Sequence, residues 1–170
     1  MIYKVLKKQY NSSMCFVCGM DNEASLRTKY YELENKQILG LFQGGDVHQS
    51  YPKRMHGGII TALLDETIGR AVQIDEPNTF GVTVELTVRY LKPVPLDETL
   101  YCVGKITDMR KILFYGEGYL CTTTGDILAT CHAKYMKQDI NKIVDSTHFI
   151  KEQWMYVADQ KQPEFFELPQ

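Results

Sequence analysis

The sequence lacks several features that would assign it at once to a common class of protein. It contains no run of 18 or more apolar residues, so we expect no transmembrane helix and no membrane among its partners. Its 19 basic and 21 acidic residues leave a formal net charge of −2, which does not favour binding to nucleic acid.

Signals for secretion are also missing. Residues 1–14 are polar and charged, without the apolar segment of a signal peptide. The five cysteines are an odd number, so they cannot all pair within one chain. Both observations favour a reducing compartment with free thiols, and we expect a cytoplasmic protein.

The sequence has no GxSxG, HExxH, GxGxxG or GxxxxGK[ST] motif, which removes the common signatures of several enzyme classes. A CxxC pair is present, Cys15 and Cys18 in CFVCG, but a structural zinc site takes four ligands. Adding His48 and His56 gives a spacing that matches no standard zinc site. We expect the two thiols to pack a turn, and we expect neither a metal nor a cofactor.

The length of 170 residues and the hydrophobic content of 44% suit one globular domain. Apolar periodicity predicts the order β-β-α-β-β-β-β, and the last four strands are expected to form an antiparallel meander. In GVTVELTVRYL, strict alternation places Thr83 on the face opposite Leu86 and Val88. The predicted strands cover 27–33, 37–43, 81–91, 99–109, 111–123 and 126–136, and the predicted helix covers 56–74.

Three segments follow from this pattern. Residues 1–14 are predicted to be a loosely ordered polar leader, and residues 15–137 the folded domain. Residues 138–170 form a tail with helical spacing at first and an extended end. The helical part of the tail is expected to pack on the domain or on a partner subunit.

The central helix, HGGIITALLDETIG at 56–69, is apolar on nearly all sides. Such a helix must be covered on both faces, and a second copy of the chain is the simplest cover for the face that the sheet leaves open. Two carboxylates, Asp65 and Glu66, interrupt it. A buried unpaired carboxylate costs several kcal/mol, so an acid here has either a function or a partner. The alternative is an ion pair at a dimer interface or a solvent-facing patch.

The helix motif and the order of elements resemble the hotdog-fold acyl-CoA thioesterases of the PaaI-like group. The similarity extends over about residues 15–137, through CFVCG, HQSYP, GVTVEL and RYLKPVP. It implies an α+β hotdog fold, in which an antiparallel sheet wraps around one long central helix. It also implies hydrolysis of a small or medium acyl-CoA, a homodimer or a dimer of dimers, and no cofactor besides the CoA of the substrate. Ser50 departs from an Asn found in some members.

In this group an acidic residue follows the histidine of His-Gly-Gly by nine positions, which here is Asp65. The N-terminus of a helix carries free N–H groups and partial positive charge, so Gly57 and Gly58 can approach a substrate carbonyl. The resemblance implies that the Gly58 N–H is the oxyanion donor. It also implies that His56 orients the thioester and Thr83 orients water.

Asp65 lies about 13 Å along the helix from its start, at about 1.5 Å per residue. It would therefore serve the helix start of a partner subunit, either as a general base or as a nucleophile. We expect Gly57 and Ser50 to contact substrate. Arg54, Arg89 and Lys92 are expected to meet CoA phosphates, although any one of them could be an ordinary surface charge. The rival function is a non-catalytic acyl-CoA-binding or regulatory hotdog protein.

Overall fold

A computed structural model describes residues 1–143 and 153–169. One antiparallel sheet of eight strands wraps around a single long helix, which confirms the predicted α+β hotdog fold. The strand order is β10-β1-β3-β4-β6-β7-β8-β5, and β2 and β9 form a separate pair. The elements are β1 (Ile2–Lys8), β2 (Asn11–Ser12), β3 (Lys29–Leu33), β4 (Ile38–Gln43), α1 (Gly57–Arg70), β5 (Thr79–Tyr90), β6 (Thr99–Met109), β7 (Leu113–Thr122), β8 (Ile127–Asp139), α2 (Ile140–Ile143), β9 (Trp154–Met155) and β10 (Phe165–Glu167).

Helix α1 lies very close to the sheet because glycines form the surface beneath it. A Cβ atom at Gly104 would lie only 3.0 Å from the Cα of Ile68, and one at Gly118 would lie 2.8 Å from its Cγ1. The helix buries Ile60, Leu63, Leu64, Thr67 and Ile68. After Arg70 the chain continues as one 3₁₀ turn, Ala71–Ile74, so the predicted helix at 56–74 is an α-helix followed by a tighter turn.

The expected meander of the last four strands is wrong for β5. Strands β6, β7 and β8 follow one another as predicted, but β5 pairs with β8 at the end of the sheet. Between β5 and β6 the chain leaves the sheet, and the Val94 carbonyl accepts the Met55 N–H at 2.9 Å. Pro93 and Pro95 cannot donate to a strand ladder, so this segment crosses over to bring β6 beside β4.

The prediction of a loosely ordered leader at residues 1–14 is also wrong. Strand β1 pairs with both β3 and β10, and β2 pairs with β9. Val5 is buried in a small apolar cluster with Leu33 and Phe166. Residues 2–8 are therefore part of the main sheet. No local pattern marks β1, because apolar residues such as Ile2 and Leu6 are exposed on it and its partner β10 lies at the far end of the chain.

The tail differs from the predicted long helix. Strand β8 runs on to Asp139 and is followed by the four-residue α2, while residues 144–152 of the predicted helix lie outside the described residues. Trp154, which also lies in the part of the tail with helical spacing, belongs to β9. Among the described residues, no helix is long and apolar enough to cross a membrane.

Asp159 anchors the tail to the domain. Its carboxylate accepts hydrogen bonds from Lys8 Nζ at 2.9 Å, Lys29 Nζ at 2.8 Å and the Tyr31 hydroxyl at 2.7 Å. The Lys8 side chain is completely buried. Burial raises the pKa of Asp159, but the hydrogen bonds from Lys29, Lys8 and Tyr31 outweigh it and lower the pKa to about 2.

Replacing this carboxylate should destabilise the fold. We expect Asp159→Asn to lower the free energy of unfolding at pH 7 by about 2 kcal/mol, as measured by urea unfolding. Because the folded-state pKa is lowered, the stabilisation is present above the ordinary aspartate pKa of about 4 and disappears as the pH falls towards 2. The control, Asp75→Asn, breaks an exposed pair with Lys36 and should change stability by less than about 0.5 kcal/mol. Equal losses in both variants would contradict this assignment.

Candidate active site

Asp65 faces strand β5 from the middle of α1. Its carboxylate accepts a hydrogen bond from the Thr83 hydroxyl at 2.8 Å, and its backbone carbonyl accepts one from the Tyr135 hydroxyl at 2.9 Å. The Asp65 side chain is half-buried. The structure therefore brings together the two predicted residues Asp65 and Thr83, and adds Tyr135, which the sequence analysis did not single out.

A β-bulge in β5 turns Thr83 towards Asp65. Thr83 pairs with Tyr135, whereas Glu85 already pairs with Lys134, so one extra residue interrupts the register. Leu86, which pairs with Ala133, then lies on the same face as Thr83. The expected placement of Thr83 opposite Leu86 is wrong, because a bulge shifts the alternation by one residue.

The surroundings of Asp65 favour its protonated form more than water does. Burial raises the pKa of Asp65, the hydrogen bonds from Thr83 and Tyr135 lower it in part, and the charge of Glu66 raises it again. The net shift is upward. A carboxylate with a raised pKa is a stronger base once it is ionised, which suits proton abstraction from water.

The start of α1 is held by His56. This residue is the N-cap, and its Nδ1 accepts the Gly58 N–H at 2.9 Å. An oxyanion bound at Gly58 would therefore replace the imidazole as acceptor. Tyr90 supports the same turn, since its hydroxyl donates to the Gly57 carbonyl at 3.0 Å and lies 2.7 Å from the Thr61 hydroxyl.

The loop before α1 depends on His48. Its Nδ1 accepts the Gly45 N–H at 3.0 Å, its Nε2 lies 3.0 Å from the Ala24 carbonyl, and its own carbonyl accepts the His56 N–H at 2.9 Å. The ring is buried. Because its nitrogens face the Gly45 N–H and the Ala24 carbonyl, His48 fixes the loop and does not join a cluster with the cysteines.

A groove of about 410 Å³ adjoins the helix start. It brings together four of the predicted substrate-binding residues, Ser50, Arg54, Gly57 and Lys92. Tyr90, which was not predicted, also lines it. Arg89 is exposed on β5 and is not among the residues of this groove. Lys92 is engaged with Asp126 at 2.6 Å, in a pair that is exposed on both sides.

A second cavity of about 490 Å³ lies beside Asp65. Its wall includes Thr83, Tyr135, Glu66 and Trp154, the last of which the tail supplies. Its lining does not include His56, Gly57 or Gly58. Asp65 lies seven residues after Gly58, which is about 10 Å along the helix, so one chain presents the two halves of the predicted site at separate places.

The CFVCG turn lies in the wall of the same cavity. The sulfur atoms of Cys15 and Cys18 and a carboxylate oxygen of Glu66 all lie within 4.8 Å of one another. The zinc set considered from the sequence, with His48 and His56, is not assembled, because those rings are engaged elsewhere. Arg70 binds this cluster and was also missed, since a charged residue at the end of a helix gives no pattern that marks it as buried.

Residues 53–139 match the family model of the thioesterase superfamily. Acyl-coenzyme A thioesterase THEM4 of Mus musculus is 37% identical over 67 residues, which are 39% of this chain and 28% of that protein. An uncharacterized protein of Schizosaccharomyces pombe is 35% identical over 78 residues, 46% of this chain and 41% of that protein. The matches thus cover less than half of the length of these curated relatives.

The BH2602 protein of Bacillus halodurans, solved with CoA, superposes on this chain with a TM-score of 0.60. The two are 25% identical, and the match covers 66% of this chain and 75% of the other. This similarity agrees with the fold described above.

Because its pKa is raised, ionised Asp65 should lower the free energy of unfolding at neutral pH. Because the folded-state pKa is raised, the stabilisation from protonated Asp65 is present below the ordinary aspartate pKa and is lost as the pH rises through the folded value. Asp65→Asn should therefore have a larger free energy of unfolding than the wild type at pH 7. This advantage should vanish below about pH 4. Urea unfolding at both pH values tests this, and a destabilised variant at pH 7 would contradict it.

Proposed function

We propose that this chain, which belongs to the thioesterase superfamily, hydrolyses a small or medium acyl-CoA to a free acid and CoA. One observation carries the proposal. A half-buried carboxylate with a raised pKa, Asp65, is held by the Thr83 hydroxyl at 2.8 Å in the wall of a cavity large enough for an acyl group. Perturbed carboxyl groups in cavities are typical of catalytic acids and bases.

The complete site requires a second copy of the chain. Strand β5 is the last strand of the sheet and, among the described residues, no strand pairs with its outer edge. Val84 on this strand is 54% exposed. A long unpaired strand edge that exposes apolar side chains is normally covered, and the same edge of a second copy is a self-complementary cover. On the uncovered side of α1, Ile59 and Ala62 are only half-buried and supply further apolar area.

A two-fold dimer would place the start of one helix α1 beside Asp65 of the other subunit. In that arrangement the Gly58 N–H of one protomer polarises the thioester carbonyl, and His56 turns from Gly58 towards the substrate. Asp65 of the partner then either removes a proton from water or attacks the carbonyl carbon itself. Thr83 orients the carboxylate or the water. In both routes the C–S bond breaks and CoA leaves as the thiolate. In the second route the acyl group remains on Asp65 as an anhydride, which water hydrolyses to the free acid and the aspartate.

The groove at the helix start is our candidate for CoA. Ser50 and Gly57 line it, and Arg54 and Lys92 offer positive charge to phosphate groups. Arg89 is exposed on β5, outside this groove. It would contact the nucleotide part of CoA only where CoA extends beyond the groove towards β5. CoA is part of the substrate, and the proposed reaction uses water without a metal or cofactor. The five free thiols fit the proposed cytoplasmic location.

The second candidate is an acyl-CoA-binding protein without catalysis. It is favoured by the Gly58 N–H, which is already bonded to His56 and is not open to an oxyanion as the molecule stands. Binding alone would need the groove but not the arrangement of Asp65 and Thr83. The activity of Asp65 variants therefore separates the two functions.

Removal of the carboxylate should abolish turnover without removing binding. We expect Asp65→Asn to lower the rate of CoA release by at least about 100-fold for the best ester in a panel of aromatic and short to long aliphatic acyl-CoAs. Thiol detection of CoA measures the rate, and calorimetry measures acyl-CoA binding. The control Asp75→Asn should retain full activity. A wild type that binds the panel but hydrolyses none of it would establish the binding protein instead.

The pH profile should carry the signature of Asp65. A general base or nucleophile must be ionised, so kcat/KM should fall as the pH drops through the pKa of Asp65 in the free protein. Because burial raises that pKa, the acidic limb should lie above the ordinary aspartate pKa of about 4. Thr83→Val removes a hydrogen bond that lowers the pKa of Asp65, and should move the limb to still higher pH. An unchanged limb in this variant would contradict the assignment.

Mixed dimers test whether the site is shared between subunits. Asp65→Asn and Gly58→Pro should each be inactive, the second because proline removes the N–H while remaining tolerated in the first turn of a helix. When the two variants are co-expressed, half of the dimers contain one chain of each. Each such dimer has one intact site out of two, so the mixture should recover about a quarter of wild-type activity. A mixture as inactive as its parents would show that each chain builds its own site.

A further inference from the structure

The two cysteines of CFVCG differ in their exposure although only two residues separate them. Cys15 is half-buried in the wall of the Asp65 cavity, whereas Cys18 is completely buried. Their sulfur atoms lie within 4.8 Å of each other, and both cysteines are free. Both cysteines line the cavity, but Cys15 alone keeps part of its surface exposed, so a reagent in the cavity reaches its thiol first.

The turn holds the thiols in this arrangement. The Gly19 N–H donates to the Cys15 carbonyl at 2.7 Å, and the Val17 N–H donates to Cys15 Sγ at 3.3 Å. A Cβ atom at Gly19 would lie only 2.3 Å from the Cys15 carbonyl oxygen, so a larger residue would open the turn. A backbone N–H aimed at sulfur favours the thiolate, as at the N-terminus of a helix.

Arg70 supplies a fixed positive charge to the inner thiol. Its Nη2 donates to Cys18 Sγ at 3.0 Å and its Nε donates to Glu66 at 2.8 Å. The guanidinium is buried and lies 4.4 Å from the ring centre of Tyr30 and 4.9 Å from that of Trp154. A metal ion at this cluster would meet that charge directly, whereas a thiolate is stabilised by it.

The ionisation of the thiols agrees with this geometry. The hydrogen bond from Cys18 lowers the pKa of Cys15 to about 7, against the opposing effects of burial and Glu66. The same hydrogen bond, with burial, raises the pKa of Cys18. Burial raises the pKa of the other three thiols, to about 12 for Cys102 and Cys121 and to about 11 for Cys131.

We propose that Cys15 and Cys18 are a redox-active dithiol, a modification site that small disulfides such as oxidised glutathione convert to an intramolecular disulfide. Cys15 is the attacking residue because it is the exposed member of the pair. Cys18 is the resolving residue because it is completely buried and engaged with Arg70 and Glu66.

The exchange balances in two steps. The Cys15 thiolate attacks one sulfur of oxidised glutathione, forms a mixed disulfide and releases the first glutathione thiolate. Cys18 then gives up its proton to water and attacks Cys15 Sγ, which expels the second glutathione thiolate. The protein loses two electrons and two protons, and one oxidised glutathione becomes two reduced molecules.

Mass spectrometry of the intact protein in glutathione buffers of graded redox potential tests this proposal. The wild type should lose two of its five thiols and carry no glutathione, with peptide mapping placing the new bond between Cys15 and Cys18. Cys18→Ser should instead retain one glutathione on Cys15, because no resolving thiol is present. Cys15→Ser should form neither the disulfide nor a glutathione adduct at this pair.

The control Cys131→Ser should form the disulfide as the wild type does, since that thiol lies outside the cluster. Alkylation by iodoacetamide at pH 7 should modify Cys15 at least about ten times faster than Cys131, as the higher thiolate fraction requires. A disulfide in Cys15→Ser, a stable glutathione adduct on the wild type, or wild type purified with stoichiometric zinc on these thiols would overturn the proposal.

Discussion

The close contact between helix α1 and strands β6 and β7 fixes the rest of the structure. Ile68 lies so near the backbone of these strands that Gly104 and Gly118 leave no room for a Cβ atom. A helix seated this deeply has its inner face fully buried, so its functional residues can only be on its outer face and at its ends. Asp65 and the His56 cap occupy these positions.

Two local features of the chain, a bulge and a crossover segment, shape the candidate site around this helix. The bulge in β5 turns the Thr83 hydroxyl towards Asp65, and the crossover through Val94 ties the start of β6 to the residue before the helix cap. The first sets the environment of the carboxylate and the second shapes the groove beside Gly57. Each half of the site is thus formed well within one chain, while the distance between the halves calls for a second copy.

The sequence predicts the central part of this molecule and misses what depends on distant pairing. The apolar helix and strands β3, β4, β6, β7 and β8 are marked by local periodicity, and the acid in the helix stands out because an apolar surface surrounds it. Strand β1 and the anchor at Asp159 depend on partners far along the chain, which periodicity does not report. The bulge at Thr83 shifts the alternation of apolar and polar residues along β5 by one position. The sequence alone does not distinguish a buried arginine such as Arg70 from an arginine on the surface.

The central claim is that Gly58 of one subunit and Asp65 of the other act on the same thioester. A crystal structure with a CoA ketone, in which a methylene group replaces the thioester sulfur, tests this claim most directly. We expect the ketone oxygen within hydrogen-bond distance of the Gly58 N–H of one protomer, and Asp65 of the partner facing the carbonyl carbon. A ketone bound with both residues from a single chain, or remote from Asp65, would contradict it.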